Sequence, residues 1–366
     1  MLLALLLSVL LCACDGNNDV VAVIDSEHFP EPLLLEKAIA ADTDGNGRLS
    51  QKEVSTVTKL HLKKLLDEMG DSEDGPYPVY TEKDFTIDLE GIQYFSALTE
   101  LTVNMLGGEC FVEDGPAEIY AKTKNFDRVY ACRNLKKLSL YEVDISELKL
   151  DSFPNIKRLD LSCMYDLEKI DTANGKNISF LWLSGCHNLT ALDFCGMGKL
   201  KTLNIVDNGA LNSILFDASN KNLETIQLND LKSLHAVDVS PLSGLVSLNI
   251  MDVALAELDV SHNKKLDQIC VEGLNLDTLD LTNNPSVTYI INAEDSFKHI
   301  HLADDNCVSM LRWTDSEVTV FPVENLNPAT LTGIDIQGTK IETLDVSAYP
   351  NLEYLYYDED TTEIIK

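Results

Sequence analysis

Residues 178–205 read ISFLWLSGCHNLTALDFCGMGKLKTLNI. Apolar residues stand at Ile178, Leu181 and Leu183, and the same L-x-x-L-x-L spacing returns at Leu200, Leu203 and Ile205. The alternation over the last positions has the period of a strand, so Phe180, Trp182 and Ser184 point away from the side that Leu181 and Leu183 bury. Outward from here the pattern starts at Leu98, Leu135, Ile156, Ile178, Leu200, Leu223, Leu245, Leu266, Val287, Val308, Leu331 and Leu352. After the first gap its spacings are 21, 22, 22, 23, 22, 21, 21, 21, 23 and 21 residues. A unit of this length can make one short strand and a return path, and it cannot bury its own apolar face. Stacked units bury a continuous core, with strands pairing edge to edge.

Each unit has a second apolar half, seen in Leu189-Thr190-Ala191-Leu192-Asp193-Phe194 and in residues 255–261 (LAELDVS), 276–282 (LDTLDLT) and 341–347 (IETLDVS). Over residues 85–366 the chain resembles leucine-rich-repeat proteins, and specifically the lipoprotein type with an L-D-V-S return found in gut and oral Bacteroidetes. The expected fold is therefore an α/β solenoid of leucine-rich-repeat type with short parallel strands, preceded by a small helical EF-hand-like cap. One departure is plain. The asparagine that in many such repeats follows the last strand leucine by three residues is present as Asn208, but Val143, Met164, Cys186 and Val253 take its place elsewhere. Residues 104–134, with Gly107-Gly108 and Asp114-Gly115-Pro116, interrupt the period and read as a surface insertion.

Residues 42–53 read DTDGNGRLSQKE, which fits the twelve-residue EF-hand calcium loop. Asp42, Asp44 and Asn46 offer side-chain oxygens, Arg48 its carbonyl, Ser50 a direct or water-bridged contact, and Glu53 a bidentate carboxylate. Gly47 allows the left-handed backbone of the sharp turn, and Leu49 is the apolar residue that pins such a loop. Residues 32–41 (PLLLEKAIAA) suggest an entering helix. Val54, Val57, Leu60, Leu65 and Met69 suggest an exit helix over 50–69. EF-hands usually pair, and only one loop is present, so a structural Ca2+ that fixes the cap is expected. Residues 91–98 (GIQYFSAL) resemble the segment that leads from such a cap into the first repeat of this lipoprotein type.

Sixty Asp and Glu against 28 Lys and Arg give a net charge of −32, which disfavours nucleic acid and anionic membranes as partners. Residues 1–13 (MLLALLLSVLLCA) have the apolar core of a signal peptide, and Leu11-Cys12-Ala13-Cys14 resembles a lipobox with Cys14 as the lipidated residue. The expected division is a signal peptide at 1–13, lipidated Cys14 and tether at 14–24, cap at 25–75, and solenoid at 76–366. Contact with membrane through the lipid alone, an outer-membrane or cell-surface location and a monomeric state are expected. Of nine cysteines seven follow Cys14, an odd number. Candidate pairs are Cys110 with Cys132 and Cys163 with Cys186.

No H-E-x-x-H, G-x-S-x-G or phosphate-binding loop occurs, and Gly196-Met197-Gly198-Lys199 lacks the spacing of the last. His299 and His301 share one face of an extended segment, either as solvated side chains or as a metal site. The outward strand positions Lys137, Ser139, Tyr141, Arg158, Asp160, Ser162, Phe180, Trp182 and Ser184 form one patch. Tyr141, Arg158, Asp160, Phe180 and Trp182 are the candidate ligand-binding residues there, and Tyr354 and Tyr356 a second set. The reading is a non-catalytic, envelope-anchored protein that binds a protein or glycan. The alternative is a structural or assembly component of an envelope complex.

Overall fold

The structure, a computed structural model, describes residues 19–65, 85–106, 108–112, 115–119, 121–274, 276–294, 297–321, 323 and 325–366. The expected leader and Cys14 lie outside these. The chain condenses into two units, residues 1–139 and 140–366.

The second unit is built on ten parallel strands in chain order. They are Arg158–Ser162, Phe180–Ser184, Thr202–Val206, Thr225–Leu231, Ser247–Val253, Gln268–Glu272, Tyr289–Ala293, Met310–Thr314, Gly333–Asp335 and Tyr354–Tyr356. Register is kept from rung to rung. Leu159, Leu181, Leu203, Ile226, Leu248, Ile269, Ile290, Leu311 and Ile334 stack in line, all with at most 1% of their surface exposed. A one-residue slip would turn every one of these outward, so the buried column fixes the register. The second half-units pair in parallel as well, Ala191–Asp193 with Ser213–Leu215 and Leu276–Leu281 with Phe297–Leu302.

Near the C-terminal end of most of these strands one residue adopts a left-handed conformation, at Asp230 and Asp252 within the strand and at Gly338 three residues past it. Glu142, Cys163, Asp207, Asp230, Asp252, Glu294 and Asp315 have φ between 52 and 54°, and Gly185, Gly273 and Gly338 hold the same place. Their amides continue the ladder: Cys163 N–H donates to Ser184 O at 2.8 Å and Asp207 N–H to Asn229 O at 3.0 Å. At Gly273 a Cβ would fall 2.5 Å from the Asp252 carboxylate oxygen, so a larger residue there would push that side chain aside.

The turns of the return path have hydrogen bonds of their own. In the L-D-V-S halves the aspartate accepts from the amide two residues on: Asp259 from Ser261 at 2.8 Å, Asp280 from Thr282 and Asp345 from Ser347 at 2.9 Å. Buried asparagines then tie each turn to the one below. Asn263 Nδ2 donates to Val239 O and Leu242 O, and Asn284 Nδ2 to Val260 O and Asn263 O, all at 2.9 Å. Asn208 does the same beside the strands, accepting from Cys186 N–H at 2.9 Å and donating to Val206 O at 2.7 Å.

In the first unit the expected exit helix is a correction. Helix covers only Gln51–Val54, and Lys59–Leu65 is a strand paired in parallel with Glu100–Leu106. Leu60 and Leu62 are buried while His61 and Lys63 are exposed, a period of two that overrides the near-helical spacing. Strand pairing thus starts before residue 76. Val20–Val23, assigned to the tether, is also a strand, antiparallel to Arg48–Ser50. Much of the 104–134 insertion is regular. It holds the hairpin Gly108–Val112 with Gly115–Ile119, a return strand Lys122–Lys124 paired with Thr86–Asp88, and the 3-10 turn Phe126–Ala131.

Neither guessed disulfide pair is bridged. Cys132 is a buried free thiol that donates to Ile92 O at 3.6 Å, and Cys110 has its side chain outside the described residues. Cys163 and Cys186 are also free. Ser162 pairs with Ser184, which puts Cys163 opposite Gly185, one residue out of step with Cys186. Burial pushes the Cys132 and Cys186 thiols up to about 12, which suppresses the reactive thiolate.

Asn284→Ala removes two hydrogen bonds to buried carbonyls, and we expect a loss of about 2 kcal/mol in urea unfolding. Asn222→Ala removes one bond, to Gly198 O, at an exposed site and should cost about 0.5 kcal/mol. Equal costs would refute the load assigned to the buried ladder.

Candidate binding face and cation loop

The outward strand positions of the second unit make three columns. At the N-terminal rungs, Arg158 stands on Arg158–Ser162 directly beside Phe180 of the next strand. Its guanidinium carbon lies 3.7 Å from the Phe180 ring centroid, and its Nε donates to Asp160 Oδ2 at 2.9 Å. Asp160 was expected on the open face, but it is 5% exposed because the Arg158 side chain folds over it. Trp182 pairs with Asp160 in register and is half-buried, as is Tyr141. Four of the expected residues, Arg158, Asp160, Phe180 and Trp182, therefore form one cluster on neighbouring strands. Tyr354 and Tyr356 are 54% and 49% exposed on the strand that ends the row. A second Arg–Asp pair escaped the sequence reading: Arg312 Nε donates to Asp335 Oδ2 at 3.0 Å. The signal was available, because Arg312 and Asp335 occupy the middle column of adjacent repeats as Asp160 and Trp182 do.

The cation loop is local to the first unit. Gly45 and Gly47 have φ of 70 and 73°. The turn folds the backbone onto Asp42, whose carboxylate accepts from Gly45 N–H at 2.9 Å, Asn46 N–H at 3.2 Å and Gly47 N–H at 2.9 Å. Glu53 Oε1 accepts from the Thr43 amide at 2.8 Å and hydroxyl at 2.9 Å, and Oε2 from the Ser50 amide at 2.9 Å and hydroxyl at 2.8 Å. These bonds, the Ser50 amide foremost, lower the Glu53 carboxyl to about 2. One carboxylate oxygen from each of Asp42, Asp44 and Glu53 lies within 4.8 Å of the others. Asn46 Oδ1 accepts from Arg48 N–H at 2.8 Å, keeping the loop's middle turned inward.

Leu49 is fully buried and sits opposite Ala22 in the short sheet with Val20–Val23. That strand gives the single loop the edge partner that a second loop supplies in a paired arrangement. The entering helix Pro32–Ala41 is present, with Leu34 and Ala38 fully buried. The segment 91–98 docks onto the same unit through Gly91, at φ 101°, where a Cβ would strike the Phe29 ring. Phe29 in turn packs 5.7 Å from Tyr94 and 6.1 Å from Phe95.

His299 and His301 are exposed on Phe297–Leu302 and line a shallow cleft with Thr282, Asp304 and Phe321. Among the described residues the structure groups no metal-ligating side chains around them. No helix among the described residues is long and apolar enough to cross a membrane.

No protein-family model matches the sequence. No curated protein matches it either. Solved structures do. An internalin (inlF) from Listeria monocytogenes aligns at 15% identity and TM-score 0.51, covering 94% of each chain. The functional domain of InlJ from Listeria monocytogenes, described as including a cysteine ladder, aligns at 20% identity and TM-score 0.50, covering 96% of this chain and 74% of that one. At such identities the likeness is one of fold, and the fold is the parallel-strand leucine-rich-repeat solenoid of about ten turns.

Proposed function

We propose that this chain is a non-catalytic binding protein of a bacterial envelope, which presents the strand face of its repeats to a protein or glycan ligand. The observation that carries this reading is the Arg158–Asp160–Phe180–Trp182 cluster. Arg158 is held over Phe180 by its bond to Asp160, so a cation and an aromatic ring are already ordered before a partner arrives, with Trp182 beside them on the same strand. Such preordering lowers the entropic cost of association, and Trp and Arg are the residues on which interface energy concentrates. Repeat folds of this kind hold their strand faces rigid, because every rung is fixed by its neighbours.

With this reading goes a second proposal, that the cap holds a calcium ion. Asp42, Asp44, Asn46, the Arg48 carbonyl, Ser50 and Glu53 would hold the ion. The donor set is all oxygen, which suits a hard cation. Bound Ca2+ would offset the mutual repulsion of the three carboxylates. Asp42 and Glu53, at the two ends of the loop, hold their oxygens toward its centre through the Gly45, Gly47, Thr43 and Ser50 amides. Extracellular calcium modules have dissociation constants of roughly 10⁻⁴–10⁻³ M, which fits a structural role outside the cell. The anchor would be a lipid on Cys14, with Asp15 to Asn18 leading to the strand Val20–Val23.

Three outcomes follow. In a screen against extracellular proteins and glycans in calcium buffer, the Phe180→Ala/Trp182→Ala protein should lose at least about tenfold in affinity for any ligand that binds the native chain. Full retention would move the weight to an assembly role. Calcium in excess should raise the melting midpoint over that in chelator, and Glu53→Gln should abolish the difference; superimposable curves would end the calcium assignment. Cys14→Ser should move the protein from the membrane to the soluble fraction on cell fractionation, and an unchanged distribution would refute the anchor.

A further inference from the structure

The middle of the strand face differs from both ends. On Thr202–Val206, Thr225–Leu231, Ser247–Val253 and Gln268–Glu272 the outward side chains are Thr202, Asn204 and Val206, then Thr225, Gln227 and Asn229, then Ser247, Asn249 and Met251, then Gln268, Cys270 and Glu272. In a chain with a net charge of −32, this run carries a single charged side chain, Glu272 at its rim. Five of the twelve are amides. The asparagines of the return path bond to backbone carbonyls, as Asn222, Asn263 and Asn284 do. The face amides do not. The side chains of Asn204, Gln227, Asn249 and Gln268 make no hydrogen bond within the described protein, and Asn229 reaches only Met251 Sδ, at 3.6 Å. The carbonyl oxygens of Asn229 and Asn249 are buried without a partner, as are those of Asn263 and Asn284 on the return path; what sets the face amides apart is that their N–H groups do not bond to the backbone. Asn204 is 7% exposed, Gln227, Asn229 and Asn249 are half-buried and Gln268 is exposed, and no hydrogen bond to the backbone of the described protein holds these amides in place.

Resting on the reading of the strand face as the binding face, we infer that this amide strip is a subsite for a neutral polysaccharide chain laid across the strands. Asn204, Gln227 and Asn249 occupy one column of successive rungs, about 4.8 Å apart. A chain of linked pyranose rings advances by close to one strand spacing per ring, so successive rings meet the half-buried Gln227 and Asn249 and take a hydrogen bond from each amide N–H. An extended peptide advances about 3.4 Å per residue and falls out of step with the column. Aromatic rings bound the strip: Trp182 pairs with Asn204 at one end, and Tyr289 with Gln268 at the other. Sugar faces stack on such rings. Along the strand ends run Asp207, Asp230 and Asp252, each in the left-handed position. Carboxylates accept from hydroxyls and repel polyanions, which selects uncharged over acidic chains.

The test is native electrophoresis of the full chain in gels cast with a β-glucan, a mannan or an α-glucan, and with polygalacturonate as the acidic comparator. At least one neutral polysaccharide should retard the protein, and polygalacturonate should not. Gln227→Ala/Asn249→Ala should weaken that retardation about tenfold, the effect of two lost neutral hydrogen bonds, with an unchanged circular dichroism melt. Should that variant unfold, Gln227→Met/Asn249→Leu nearly keeps the side-chain volume, removes both amides and should bring the same loss. Retardation by no neutral polysaccharide, equal retardation of the folded variants, or preference for polygalacturonate would overturn the inference. A protein ligand lost on Phe180→Ala/Trp182→Ala, with no polysaccharide bound, would leave the strand-face reading standing and remove this one.

Discussion

Every feature of this chain depends on the inability of one repeat to shelter its own apolar face. A unit of about 22 residues places one leucine column inside, and that column is dry only when a rung lies on each side. Leu159 through Ile334 show the result, nine successive rungs with next to no exposed surface in the column. The hydrogen-bond ladder is subordinate to this packing. It closes at the left-handed residue near the end of most strands, where amides such as those of Cys163 and Asp207 reach the next rung, and it is completed on the return side by aspartate turns and buried asparagines. Stability is accordingly close to a sum over neighbours, and a lesion at one turn is felt mainly by the two rungs it joins.

The repeat and its register were legible in the sequence because they rest on leucine spacing alone. The turn chemistry was legible only in part. The L-D-V-S halves stood out, but that Asp259 caps Ser261 and that Asn263 ties two turns together is a matter of where the backbone carries them. The exit helix was misread because Val54, Val57 and Leu60 satisfy a helical spacing while Val57, Leu60 and Leu62 equally begin L-x-x-L-x-L; a free strand edge on Glu100–Leu106 decides between them. Val20–Val23 reads as tether because four residues carry no repeat spacing, and it becomes a strand only through its partner Arg48–Ser50. The cysteine pairs failed for a reason of register: Cys163 takes the left-handed position, and Cys186 the buried position one residue later.

Of the candidate sites, the loop at 42–53 was legible in its turn, because its glycines mark the left-handed positions at 45 and 47. The structure brings Asp42, Asp44 and Glu53 within 4.8 Å. The strand face was harder. Its columns follow from alternation, so Arg158, Phe180 and Trp182 could be placed together. The burial of Asp160 beneath Arg158 could not, and neither could the unpaired state of the central amides, since hydrogen bonding depends on the neighbours that stacking supplies. The face thus divides into a charged aromatic cluster at one end and a neutral strip in the middle. The return side spends its amides on holding the turns.

The most direct measurement is hydroxyl-radical footprinting of the protein with a ligand recovered from the screen, read by mass spectrometry at single side chains. If the strand face is the binding surface, Phe180 and Trp182 lose oxidation on binding, while Tyr165, exposed in the turn beyond its strand, is oxidised as before. Protection at Tyr165 with Trp182 unchanged would place the ligand off the strand face and contradict the account.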